Sequence, residues 1–97
     1  MSKIDNPTRH VEYFRRADDA FKGEKLQVSP TKQIRISAFQ TDAGKNMVDI
    51  RLWTMFTDSE GVYFPRKQGL CVSAHTVREL LPLLTAFINS PDVLELE

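Results

Sequence analysis

The alternation of side chains in residues 47–56 (MVDIRLWTMF) constrains the fold of this chain more than any other feature. Apolar residues take every second position, which is the period of a β-strand with one buried face. Residues 33–40 (QIRISAFQ) repeat the pattern. We therefore expect two strands whose even-numbered side chains form the core: Ile34, Ile36, Ala38, Val48, Ile50, Leu52 and Phe56.

Arginine and aromatic side chains share the opposite face of these strands. Arg35 and Phe39 lie on the first strand, and Arg51 and Trp53 lie on the second. Bases stack on aromatic rings while cations meet phosphates, so an exposed face of this kind is typical of proteins that bind single-stranded nucleic acid. The alternative is that another element or a partner subunit covers Phe39 and Trp53. Periodicity does not decide between the two.

Composition excludes several classes of function. A chain of 97 residues buries only a marginal core, which dimerisation would enlarge. It has no apolar run long enough to span a membrane and no signal-peptide pattern, so we expect a cytoplasmic protein without membrane contact. One cysteine and two histidines give no disulfide, no metal-ligand spacing and no catalytic grouping. We expect no metal, no cofactor and no enzymatic activity.

The charges are unevenly distributed although their sum is zero. Residues 26–70 carry six basic and four acidic side chains, whereas residues 71–97 carry one basic and four acidic side chains. Basic charge therefore favours the predicted sheet, and residues 91–97 are expected to form an acidic tail.

Turn residues divide the rest of the chain into elements. Residues 1–25 form an extended arm or a short helix, for which Pro7 is a possible start and Gly23 a stop. A strand begins at Leu26, bends near Pro30 and resumes at residue 33. Turn clusters at residues 41–46 and 57–61 predict an antiparallel meander. Two short strands, 62–64 and 70–72, then flank a basic loop.

The last long segment predicts an amphipathic helix with Ser73 as its N-cap. Its apolar stripe is wider than one sheet face can cover, which favours packing against a second helix. We expect a homodimer interface formed by Val77, Leu80, Leu81, Leu84, Phe87 and Ile88.

Residues 26–88 resemble a known family, the positive cofactor 4 transcriptional coactivators, which bind single-stranded DNA. The resemblance is carried by two motifs, Asp49-Ile50-Arg51-Leu52-Trp53 and Pro65-Arg66-Lys67-Gln68-Gly69-Leu70. Departures are also present. The family's stacking tryptophan aligns with Thr54, next to Trp53, and Pro82 interrupts the usual helix.

The resemblance implies an α+β fold: a curved four-stranded antiparallel β-sheet followed by a C-terminal α-helix, paired as a symmetric dimer. This DNA-binding domain would span residues 26–90. The family's roles pass to Phe39 for base stacking, Arg51 for phosphate or base contact, and Arg66 with Lys67 for phosphate contact. Flanking or loop positions add further candidates, which are Lys32, Arg35, Lys45 and Trp53.

Together these observations predict a single-stranded DNA-binding protein with little sequence preference that assists transcription regulation, replication or recombination. Transcription or replication proteins are expected as partners. A compact bacterial or bacteriophage homologue fits best, which would work in the bacterial or host cytoplasm; a eukaryotic member would be nuclear. The alternative is a protein interaction module that uses the sheet face and the N-terminal arm.

Overall fold

The structure is a computed structural model that describes residues 7–56 and 61–96, with side chains from residue 11 onwards. Most of the predicted turn at 57–61, the start of the N-terminal arm and the last residue of the acidic tail lie outside the described residues. The elements in chain order are α1 (Pro7–Ala20), β1 (Glu24–Ser29), β2 (Lys32–Gln40), β3 (Asn46–Met55), β4 (Tyr63–Ser73), α2 (Ala74–Ile88) and α3 (Pro91–Leu94).

Within the described residues the four strands form one open antiparallel sheet in the order β1-β2-β3-β4. The predicted α+β class, with a four-stranded antiparallel sheet and helix at the C-terminal end, is confirmed. Residues 7–20, for which an arm and a helix were both open, form helix α1.

The prediction of one bent strand from Leu26 onwards is wrong. Pro30 and Thr31 form a two-residue turn, so β1 and β2 are an antiparallel hairpin in which Leu26 pairs with Ile34. Proline fixes φ near the value that a turn requires and has no N–H to donate to a ladder, which explains why the chain reverses here instead of bending.

The prediction of two short strands around a basic loop is also wrong. β4 is one strand from Tyr63 to Ser73, and its register against β3 shifts between the pairs Trp53–Pro65 and Arg51–Gly69. The extra residues form a bulge that carries Arg66 and Lys67. A proline is tolerated here because β4 is an edge strand of the sheet.

Helix α1 packs on the odd-numbered face of the sheet, and the prediction that the even-numbered side chains form the core is wrong. The buried residues include Trp53, Val62 and Tyr63, together with Arg35 at 1% exposure. On the even-numbered face Leu26 is 63% exposed, and Ile36 and Leu70 are also exposed. Period-two alternation defines two faces, but Asp18 of α1 and Phe21 of the link that follows it determine which of them is covered.

Gly23 connects α1 to β1 at a point where no side chain fits. Its φ is +152°, and an added Cβ would collide with the backbone carbonyl of Ile36 and approach the Phe21 ring to 3.1 Å. The link between α1 and β1 therefore passes close over β2, at a distance that only glycine allows.

At the other end of the sheet, β4 leads directly into α2. The Thr76 N–H donates to the Ser73 hydroxyl at 3.1 Å, which confirms the predicted N-cap. The helix runs through Pro82, and none of its residues is buried by the part of the chain that the structure describes. Of the predicted interface residues, Val77 and Leu80 are half-buried, and Leu81, Leu84, Phe87 and Ile88 are exposed.

The Gly23→Ala substitution is expected to lower the free energy of unfolding by at least about 2 kcal/mol, because it combines an unfavourable φ with a backbone collision. Gly44→Ala is the control. Gly44 also has a positive φ, +83°, but an added Cβ meets no atom within 4 Å among the described residues. The control should lose only about 1 kcal/mol. Equal urea midpoints for the two variants would contradict the close approach at Gly23.

Candidate nucleic-acid interface

Three cations form one row across the odd-numbered face of the sheet. Lys25 pairs with Arg35 across β1 and β2, and Arg35 pairs with Arg51 across β2 and β3. Like charges directly opposite one another are destabilising, so each cation needs a compensating partner. Lys25 lies 5.8 Å from the centre of the Phe21 ring, and the two arginines have carboxylate partners.

Arg35 is the buried centre of this row. Its Nη2 lies 2.7 Å from Asp18 Oδ1 of α1, and its Nε donates to Gln33 Oε1 at 2.8 Å. The guanidinium lies 4.1 Å from the centre of the Trp53 ring and 5.0 Å from that of Phe21. Nη1 is buried and has no hydrogen-bond acceptor among the described residues. The guanidinium is therefore well stacked but incompletely hydrogen-bonded.

Trp53 lies under the guanidinium and is 8% exposed. The Phe21 ring meets it edge-on, with centroids 5.4 Å apart, in a favourable geometry for two aromatic rings. The prediction that Arg35 and Trp53 stand on an open face is wrong, because α1 covers both. For Trp53 the alternative reading, a ring covered by another element, describes the structure.

Arg51 organises the bulge of β4. Its guanidinium forms an ion pair with Asp49 at 2.8 Å, and its Nη1 donates to the carbonyls of Arg66 and Lys67 at 3.1 and 3.2 Å. The hydrogen bond to Asp49 raises the pKa of Arg51 above its ordinary value. Opposite Arg51, a Cβ on Gly69 would come within 3.1 Å of the Arg51 guanidinium carbon, so glycine leaves room for this arrangement.

The bulge presents two neighbouring exposed cations of the candidate site. Arg66 and Lys67 are exposed, and the Arg66 guanidinium lies 5.5 Å from the centre of the Phe64 ring. These side chains, with Pro65 and Gln68, line a depression of about 360 Å³. A cation beside an aromatic ring in an open depression can meet a phosphate and a base together.

The other predicted residues lie farther apart. Phe39 is 49% exposed, near the end of β2 that leads into the turn carrying Lys45. Lys45 borders a second depression, at the start of α2, which is also lined by His75 and Arg78. Lys32 lies at the opposite end of β2. The structure thus groups Arg51 with Arg66 and Lys67, places Phe39 and Lys45 at one end of the β2–β3 hairpin, and leaves Lys32 at the other end.

Sequence patterns missed the residues that α1 and the sheet edges bring to this face. Asp18 of α1, Phe21 in the link that follows it, and Lys25, Tyr63 and Phe64 of the strands had no assigned role at the site. The available signal was the aromatic stripe of residues 11–21, because a helix with such a stripe packs its apolar side against another element.

Searches against protein-family models, curated proteins and solved structures found no match to this chain. Among residues 7–56 and 61–96, no three histidine, cysteine, aspartate or glutamate side chains are grouped as metal ligands. No helix in that same part of the chain is long and apolar enough to cross a membrane.

The two aromatic candidates are expected to respond differently to truncation. Trp53→Ala leaves a cavity beneath Arg35 and should lower the free energy of unfolding by about 3–5 kcal/mol. Phe39→Ala removes a half-exposed ring and should cost no more than about 1 kcal/mol. Chemical denaturation of both variants measures the contrast. A Trp53→Ala protein as stable as Phe39→Ala would contradict the burial of Trp53.

Proposed function

We propose that this chain is a binding protein for single-stranded DNA with little sequence preference, acting in transcription regulation, replication or recombination. The observation that carries the proposal is the bulge of β4, where Arg66 and Lys67 stand in the open beside the Phe64 ring. The two motifs that resemble the positive cofactor 4 family include this bulge and the part of β3 whose Arg51 donates to the bulge carbonyls.

The proposed contacts divide into two kinds. Arg66 and Lys67 meet phosphates, while Phe39 and Phe64 offer ring faces on which bases stack. Arg51 acts as a positioning residue, because its donors are engaged by Asp49 and by the carbonyls of the bulge. Lys45 extends the cationic surface beyond Phe39. Contacts of this kind involve the phosphates and the flat faces of the bases, which all DNA sequences have, so they give little base preference.

The binding is expected to depend strongly on salt despite the zero net charge of the chain. Each phosphate neutralised on a single strand contributes about 0.7 to the slope of log affinity against log salt. Replacing both Arg66 and Lys67 by alanine should therefore flatten the slope by roughly 1.4 and weaken binding by about tenfold at low salt. Fluorescence anisotropy of a labelled oligothymidylate at several salt concentrations measures both quantities.

Alanine at both Arg15 and Arg16 is the matched control. It removes the same two charges from the outer side of α1, where both residues are exposed. Affinity should stay within about twofold and the slope should be nearly unchanged. Equal losses of affinity in the two double variants would show a general charge effect and contradict the assigned site. Stronger binding to duplex DNA than to a single strand would contradict the proposed function itself.

A homodimer is the second part of the proposal. The even-numbered face of the sheet exposes Leu26, Val28, Ile36 and Leu70, and α2 exposes a further set of large apolar side chains, which are Leu81, Leu83, Leu84, Phe87 and Ile88. Large apolar side chains exposed in such number favour an interaction site. A second copy supplies an equally apolar surface, as a symmetric interface requires.

Leu84→Asp is expected to convert the dimer to a monomer, because it places an unpaired carboxylate in an apolar interface. His75→Asp is the control, because residue 75 is exposed and lies on the side of α2 opposite residue 84, nine positions earlier in the helix. Sedimentation equilibrium at micromolar protein measures the association. A monomeric parent chain would contradict the homodimer and favour the alternative, docking of a different protein on the same apolar surface.

A further inference from the structure

We infer that α1 is a displaceable cover over the central part of the nucleic-acid site, and that single-stranded nucleic acid takes its place on Arg35 and Trp53. The inference rests on the proposed function and concerns the regulation of that same site. In this arrangement Asp18 occupies the position of a phosphate, and Phe21 occupies the position of a base.

The contacts of α1 and of Phe21, the residue directly after it, reproduce the two elements of single-strand recognition. Asp18 brings one anionic oxygen to 2.7 Å from Arg35 Nη2. Phe21 brings one aromatic ring to the Trp53 ring at a centroid distance of 5.4 Å and to the Arg35 guanidinium at 5.0 Å. A nucleotide presents the same pair of groups, an anion and a flat ring, to a guanidinium stacked on an aromatic side chain.

The arginine is incompletely satisfied by α1. Asp18 Oδ2 accepts the backbone N–H of Tyr63 at 2.9 Å, so only Oδ1 is directed at Arg35. Arg35 Nη1, in a side chain that is 1% exposed, has no acceptor among the described residues. A phosphate group has enough oxygens to accept from both terminal nitrogens of one guanidinium, in the bidentate geometry that arginine favours. The covered state therefore leaves a donor unused that a phosphate would engage.

The attachment of α1 is suited to release. Its contacts with the sheet include the Asp18 ion pair and hydrogen bond and the packing of Phe14 against Phe56 and Phe64, and Phe21 directly after the helix adds an edge-on contact with Trp53. Gly23 lies between α1 and β1, where glycine has the conformational freedom for the helix to swing away. A detached helix of 14 residues is marginal in water, so release of α1 and loss of its helical structure are coupled.

The first test uses the unaltered chain. Amide hydrogen exchange is followed by mass spectrometry with and without saturating oligothymidylate. Residues 11–20 should exchange faster in the complex, because the displaced helix unfolds, while residues of β3 should exchange more slowly. The single tryptophan, Trp53, should also change its fluorescence as a base replaces Phe21. Binding with undiminished protection of residues 11–20 would overturn the inference and leave the proposed function intact.

The second test compares two neighbouring carboxylates of α1. Asp18→Asn removes the charge paired with Arg35, so it should raise the released fraction and tighten oligothymidylate binding by roughly tenfold. Asp19→Asn changes the net charge by the same amount, but residue 19 is exposed and has no ion pair among the described residues. It should leave affinity within about twofold of the parent chain.

The outcomes separate the two hypotheses. Equal affinities for the Asp18→Asn and Asp19→Asn proteins would overturn the cover, as would weaker binding by a folded Asp18→Asn protein. Absence of binding by every form would overturn the proposed function. If Asp18→Asn fails to fold, as its thermal unfolding would reveal, the exchange experiment on the unaltered chain decides the inference alone.

Discussion

The ion pair between Arg35 and Asp18 determines which face of the sheet is buried. Taking a guanidinium out of water is unfavourable unless an anion and hydrogen bonds replace the water, and removing one partner from such a pair costs about 3–5 kcal/mol. Arg35 projects from the second strand among apolar neighbours, so the charge tolerates burial only where a carboxylate can reach it. Helix α1 brings that carboxylate to the odd-numbered face, where Phe21 of the following link meets Trp53, while Phe14 of α1 packs against Phe56 and Phe64. The aromatic residues Trp53 and Tyr63 then pack around the pair.

Burial of one face leaves the other open. A sheet is stable when packed layers shield its apolar side chains from water, and α1 shields only one side. The even-numbered face and α2 carry most of the aliphatic side chains of the chain, and they find little cover within the described residues. The proposed second copy would complete the layer, with two α2 helices and two even-numbered faces shielding one another.

Sequence patterns predicted the strands of this fold better than the packing of its faces. Period-two alternation identified β2 and β3, and the serine before residue 74 identified the start of α2. The hairpin at Pro30 was missed because proline is compatible with both a bend and a tight turn. The buried face was assigned wrongly because apolarity alone favoured the face of Ile34 and Ile50. Burial of the opposite face depends on the contact between Asp18 and Arg35, two residues that are distant in sequence. No local pattern encodes that contact.

The candidate site was predictable where it depends on local chemistry. Arg66 and Lys67 are adjacent in sequence, and their long charged side chains are exposed in a loop or in a bulge alike. The exposure of the Phe39 ring follows from its position near the end of a strand, next to a turn. Arg51 illustrates the limit: its type and position suggested direct contact with DNA, yet the carbonyls of a bulge that forms only in the folded sheet engage its donors. The role of a donor-rich side chain depends on which acceptors the fold brings near it.

The two proposals are physically linked through the sheet. A lone chain that released α1 would expose Trp53 and Tyr63 while its even-numbered face was also open, so the sheet would have no packed layer on either side. The proposed dimer would shield the even-numbered face independently of α1. Release of the helix would then cost the contacts of Asp18, Phe14 and Phe21 together with its own helical structure, and nucleic acid would replace part of these contacts by stacking and by ion pairing. Dimerisation is thus the condition under which α1 can serve as a cover instead of an indispensable half of the core.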